Sequence, residues 1–260
     1  MADDLQLERD GEIATLVLNR PDKHNPISFE MYETIPRLIA DVAEDRGVKV
    51  LVVRGAGEKA FAAGADISEF KTIRADSAGA KIYNEAVQDA ELALTSLDKP
   101  TIAMVHGFCI GGGCGLALAC DFRFTADTGR FGITPAKLGL VYSLESTKRL
   151  VDLVGPANAK YILFSGRQVD AERALRIGLV DEVYASSDVE RQTREFAGLL
   201  CTRAQFSVRS TKQIIRRIVG GQTDDDEHTI DLRNGSFDTA DYAEGVQAFL
   251  EKRDPRFTHA

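Results

Sequence analysis

Cysteine and histidine, the residues that close disulfides and build most zinc sites, are scarce in this chain, at four each. Its four cysteines, Cys109, Cys114, Cys120 and Cys201, include no Cys-x-x-Cys pair. No histidine sits at zinc-ligand spacing from them, so a metal site is not expected. Buried thiols in a reducing cytoplasm fit better. Long apolar runs are missing too. The longest, Gly107 to Cys120, has fourteen residues, five of them glycine, and a membrane span needs about twenty. Positive charge is also short: 32 Lys and Arg against 40 Asp and Glu give a net charge of −8. That balance disfavours a general nucleic-acid binder but leaves room for a local basic pocket. Met1 to Asp10 is acidic, with no basic stretch leading into an apolar core. Neither a secretory signal nor a mitochondrial leader is therefore expected, and the expected location is cytoplasmic. No repeat of fixed period is found.

What is present suits a soluble α/β chain of 260 residues, 44% hydrophobic and 28% charged. Leu5 to Arg9, the turn Asp10-Gly11 and Ile13 to Leu18 predict a β-hairpin. Ser28 begins an amphipathic helix to about Asp45, with Met31, Ile35, Leu38 and Val42 on one face. Strands are predicted over Val48 to Val53, Thr101 to His106 and Asp121 to Thr125, with a helix over Ala78 to Leu97. Asp66-x-x-Glu69 has the form of a capping box. Gly107 to Gly113 is predicted as a loop feeding a short helix, Cys114 to Cys120. From Ser143 onward the chain is predicted mostly helical.

Two glycine-rich turns, each between a strand and a helix, carry the chemistry: Phe61-Ala-Ala-Gly-Ala-Asp66 and Gly107-Phe-Cys-Ile-Gly-Gly-Gly-Cys-Gly115. Free N–H groups at a helix start carry partial positive charge and point outward. An oxyanion formed there is stabilised without solvent reorganisation. A dinucleotide fingerprint does not fit, because Leu116 stands where the third glycine belongs. No Gly-Lys-Ser/Thr follows, so a Walker phosphate loop fails as well.

Together these segments resemble the enoyl-CoA hydratase/isomerase (crotonase) family. The resemblance runs from Leu18-Asn-Arg-Pro21 through both turns to Ala174-x-x-x-Gly178-Leu-Val-Asp181 and Glu244-Gly-x-x-Ala-Phe-Leu-Glu-Lys-Arg253. It implies an α/β fold: a crotonase-like spiral of ββα units over residues 1–200, with a helical C-terminal trimerisation region over 201–260. It implies a homotrimer or a hexamer of paired trimers. It also implies that the Ala65 and Gly112 N–H groups hold a thioester oxygen. Coenzyme A enters as part of the acyl-CoA substrate, and no permanently bound cofactor is expected. Ala63, Asp66 and Gly111 would line its path, and Lys23 is a candidate for its phosphates, or else a solvated loop lysine. The preferred reading of the Asp66 side chain is a helix cap with no chemical part.

Hydratases of the family use two glutamates, and this chain has Gly115 and Pro135 in those places. No acidic residue lies between Arg130 and Glu145. The stretch Phe131-x-x-Thr-Pro135-x-x-Leu138-Gly-x-x-Tyr142-Ser143-Leu resembles the methylmalonyl-CoA decarboxylase branch. There the resemblance implies that Tyr142 holds a departing carboxylate, although it reads equally as a pocket-lining or buried aromatic. Ser143 is an alternative hydroxyl for orienting that group, and Pro135 and Leu138 are further substrate-binding candidates. That branch has histidine where Ala65 stands and glutamate where Gly115 stands. Decarboxylation of an alkylmalonyl-CoA is the leading expectation, because loss of carbon dioxide forms the enolate without a base. The alternatives are hydration or isomerisation using Glu145, which also reads as a charge complementing a helix dipole, and acyl-CoA binding without catalysis. His106 reads as a structural imidazole. Lys212, Arg216 and Arg217 read as a solvated helix face or a phosphate contact.

Overall fold

The computed structural model describes residues 4–258. The chain opens with the hairpin β1 (Leu5–Asp10) and β2 (Ile13–Leu18), turned at Gly11 with φ 59°. Helix α1 (Phe29–Glu44) starts where Ser28 Oγ accepts the Met31 N–H. Then come β3 (Val50–Gly55), β4 (Ala60–Ala62), α2 (Phe70–Ile73) and α3 (Ser77–Ser96). The next units are β5 (Thr101–Val105), β6 (Phe108–Ile110) and α4 (Gly112–Leu118), followed by β7 (Phe122–Ala126), β8 (Arg130–Gly132) and α5 (Leu144–Ser165). The remainder is β9 (Val169–Asp170), α6 (Ala171–Arg176), β10 (Glu182–Tyr184), α7 (Val189–Cys201), α8 (Gln205–Val219), α9 (Glu227–Gly235) and α10 (Ala240–Glu251).

Successive strand pairs are dealt alternately into two sheets. The larger has order β1-β2-β3-β5-β7-β10, the smaller β4-β6-β8-β9. From β2 to β10 the large sheet is parallel, and so is the small sheet from β4 to β8. The pairs β3–β4, β5–β6 and β7–β8 each place a strand in the large sheet and the next in the small one before the chain returns through a helix, which makes a spiral of ββα units. Period-two alternation supplies both faces of the large sheet. Leu51 and Val53 enter the core that includes Ile35, Ile39 and Leu94, whereas Val50 and Val52 join the one formed with Val189, Ala197 and Cys201.

Two sequence expectations need correction. Gly107 to Gly113 is not wholly loop, because Phe108–Ile110 pairs with both β4 and β8. The region after Ser143 is mostly helical, as expected, with the short strands β9 and β10 inside it. Asp66 and Glu69 do not form a reciprocal box: Asp66 accepts the Ser68 N–H, but Glu69 Oε2 accepts the Phe29 N–H at 2.8 Å and ties the segment to α1. The basic stripe on α8 is also engaged. Lys212 Nζ donates to the Lys99 carbonyl and Asp121, Arg216 to the Thr95 and Ser96 carbonyls, and Arg217 to Gln222 and Asp226.

Asn25 fastens the first loop to the segment that follows β3. It is fully buried, with φ 53°, a conformation that asparagine tolerates better than most residues. Its Oδ1 accepts the Arg20 N–H, and its Nδ2 donates to the Ala56 and Ala60 carbonyls. Asn25→Ala removes all three bonds and leaves buried carbonyls unpaired. The expected cost is about 3 kcal/mol, read as a lower urea midpoint; a shift under a third of that size contradicts the assignment.

Candidate active site

β4 and β6 are parallel neighbours, so the turns that leave them, Ala63 to Asp66 and Gly111 to Gly112, emerge side by side. A Cβ on Gly111 would lie 3.8 Å from Gly64 Cα, and one on Gly64 would lie 3.4 Å from the Ile110 carbonyl oxygen. Gly64 (φ 112°) and Gly111 (φ 54°) supply the left-handed turns this approach requires. Neighbouring backbone groups are engaged: Ala63 N–H donates to His24, Ile27 N–H to Gly64, Asp66 N–H to Ile27 and Gly111 N–H to Gly132. Among the described residues, the Ala65 and Gly112 N–H groups donate to no protein acceptor. Gly112 is moreover the first residue of α4, where the helix leaves its N–H unpaired.

Beside Gly112, the Tyr32 hydroxyl occupies the volume a Cβ would need. One turn further along α4, a Cβ on Gly115 would overlap Glu91 Oε1 and lie 3.0 Å from the Tyr142 hydroxyl. Glu91 belongs to α3 and is 2% exposed. Its Oε2 accepts from Ser146 Oγ at 2.6 Å and pairs with Arg149 of α5. Among the described residues, Oε1 has no hydrogen-bond partner and faces Gly115. Burial pushes the Glu91 carboxyl above the usual carboxylate range, against the pull of Ser146 and Arg149. Burial, then the Glu91 charge, raises Tyr142. Tyr32 rises mainly by burial, as does Tyr83, to about 12. The Tyr83 hydroxyl is buried without a hydrogen-bond partner among the described residues.

A family model for enoyl-CoA hydratase/isomerase matches residues 8–260. The crotonyl-CoA hydratase of Syntrophomonas wolfei is 35% identical over 254 residues, covering 96% of both chains. The short-chain-enoyl-CoA hydratase of Clostridium acetobutylicum is 36% identical, across 95% of this chain and 94% of that one. The crystal structure of an enoyl-CoA hydratase/isomerase family protein from Hyphomonas neptunium superposes with a TM-score of 0.96 at 39% identity, covering 99% of this chain and 98% of that one. The chain belongs to the enoyl-CoA hydratase/isomerase (crotonase) family.

The other candidate residues from the sequence are in different states. Asp66 is fully engaged, its Oδ2 on Arg20 at 2.7 Å and its Oδ1 on Ser68, and these bonds hold its pKa below the ordinary value despite an opposing desolvation. Ser143 caps α5: its Oγ accepts the Ser146 N–H and donates to Ser146 Oγ, one bond from Glu91. Pro135 begins a short 3-10 turn ending at Lys137, and Leu138 after it is exposed. Glu145 is exposed in the first turn of α5, near enough for its charge to raise Glu91. Lys23 is exposed in a 3-10 turn. His106 is buried 3.4 Å from Ser186 Oγ, and burial lowers its pKa. All four cysteines are buried free thiols. No helix among the described residues is long and apolar enough to cross a membrane.

Sequence reasoning missed Glu91. The available signal was its position: one residue after Ala90 and three before Leu94, both fully buried on the face that α3 turns to the core.

Proposed function

We propose that this protein binds an acyl-CoA thioester, directs its carbonyl oxygen at the Ala65 and Gly112 N–H groups, and stabilises the enolate that forms. The observation that carries this reading is that these two N–H groups, on adjacent turns, donate to no acceptor among the described residues. Fixed donors of this kind are worth a few kcal/mol each to an oxyanion. Among reactions that pass through such an enolate, the reading favours proton-transfer chemistry on an enoyl-CoA, either hydration or a double-bond shift. The relatives described above are hydratases by name. The expectation of decarboxylation rested on the stretch from Phe131 to Leu144 and on the absence of both hydratase glutamates; Glu91 offers a carboxylate beside Gly115. An acyl carboxylate brought to Tyr142 would also meet the unpaired Glu91 oxygen, a like-charge encounter.

Alkylmalonyl-CoA decarboxylation stays as the second reading because the Tyr142 hydroxyl lies beside Gly115. The trimeric assembly is part of the proposal too, with Ile218 on α8 and Phe249 and Leu250 on α10 offering exposed apolar surface. Native mass spectrometry with crotonyl-CoA, 3-hexenoyl-CoA, methylmalonyl-CoA and ethylmalonyl-CoA reads binding, assembly and chemistry together. Conversion of an enoyl thioester is expected. Loss of carbon dioxide from a malonyl thioester, with turnover reduced more than binding in Tyr142→Phe, would instead favour the second reading. A protein that binds none of the four contradicts both.

A further inference from the structure

We propose that Glu91 is the proton carrier of this site, a carboxylate delivered from α3 into the volume that Gly115 leaves open on α4. The proposal rests on the enolate reading above. Glycine at 115 removes the side chain that α4 would otherwise project there, and Glu91 Oε1 fills that space so closely that any Cβ at 115 would collide with it. A side chain at 115 would push the Glu91 carboxylate off this position, so Glu91 occupies it because residue 115 is glycine.

The carboxylate is held asymmetrically. Oε2 takes both anchoring bonds, from Ser146 and Arg149, which fixes the plane of the group. Oε1, without a partner among the described residues, faces the end of α4 that also carries the Gly112 N–H. A carboxylate with one oxygen anchored and one free suits repeated proton uptake and return, because the anchors need not break. Burial above the ordinary carboxylate range brings its basicity closer to that of the proton it must remove.

The step balances within the substrate. Glu91 takes a proton from the carbon next to the thioester carbonyl. The C–H electron pair becomes the enolate C–C double bond, and the negative charge moves to the oxygen held by Ala65 and Gly112. Return of the proton to the same carbon exchanges it with solvent. In a 3-enoyl-CoA, return to the far end of the conjugated system moves the double bond instead. Addition of water needs a second group to work beside the first, whereas this shift needs only Glu91.

The test uses 3-hexenoyl-CoA in deuterium oxide, with deuterium at C2 followed by mass and thioester binding by calorimetry. The wild-type protein is expected to incorporate deuterium. Glu91→Gln is expected to bind the thioester while exchanging roughly 100-fold more slowly. Glu91→Ala combined with Gly115→Glu is expected to regain exchange, since the carboxylate then comes from α4. Wild-type exchange rates in Glu91→Gln overturn the proposal, as does a folded, thioester-binding double variant that stays inactive. Should Glu91→Gln fail to fold, the double variant alone decides. A wild-type protein that binds no thioester sinks the enolate reading itself, a different result from loss in the variants alone.

Discussion

A proline at position 112 in a Tyr32→Phe background is expected to slow enolate formation by about 10²–10³-fold relative to Tyr32→Phe alone. Gly112 is the first residue of α4, the helical position that proline tolerates best, because its missing N–H would be unpaired in any case. Here that unpaired N–H is one of the two groups assigned to the oxyanion, so the substitution deletes a donor while leaving the helix intact. The tyrosine must go first, since its hydroxyl fills the space of any Cβ at 112. Unchanged helical circular dichroism with an unchanged exchange rate would remove Gly112 from the site.

The second large effect belongs to Arg149. Its guanidinium is the cation paired with Glu91, whose side chain is 3% exposed. Arg149→Met leaves a buried carboxylate without its partner, a loss of about 3–5 kcal/mol where that carboxylate is ionised. The sign follows from proton binding. The native Glu91 pKa already lies above its unfolded value and rises further once Arg149 is gone. Below the ordinary carboxylate range the group is protonated in both states, and the deficit is smallest. As pH climbs through the raised native pKa the unfolded state releases its proton first, and the deficit grows. Urea melts across that range are expected to show the gap between variant and wild type widening with pH, and the acid limb of the rate profile moving upward. A deficit independent of pH would show that Arg149 does no more than pack.

Much of the architecture could be read from local chemistry, because helix and strand ends announce themselves. Ser28 and Asp10-Gly11 placed α1 and the first hairpin to within a residue. The short strands were harder. β6 sits among glycines, and β9 and β10 have two and three residues, too few for alternation to register. The two glycine turns could be found because strand, turn and helix follow one another in sequence. Glu91 could not be found that way. It reaches the site across a helix-to-helix contact, and a glutamate in a helix reads as solvent-facing unless its place on the apolar side is noticed. The partners of Lys212 on α8 were illegible for the same reason, since the Lys99 carbonyl and Asp121 lie more than ninety residues earlier.

The collision between a side chain at 115 and the Glu91 carboxylate also constrains descent. A lineage with glutamate at 115 cannot exchange it for this arrangement by one substitution. A route that adds the second acid first must move the Glu91 carboxylate from its place, and a route that removes the first passes through a form with neither.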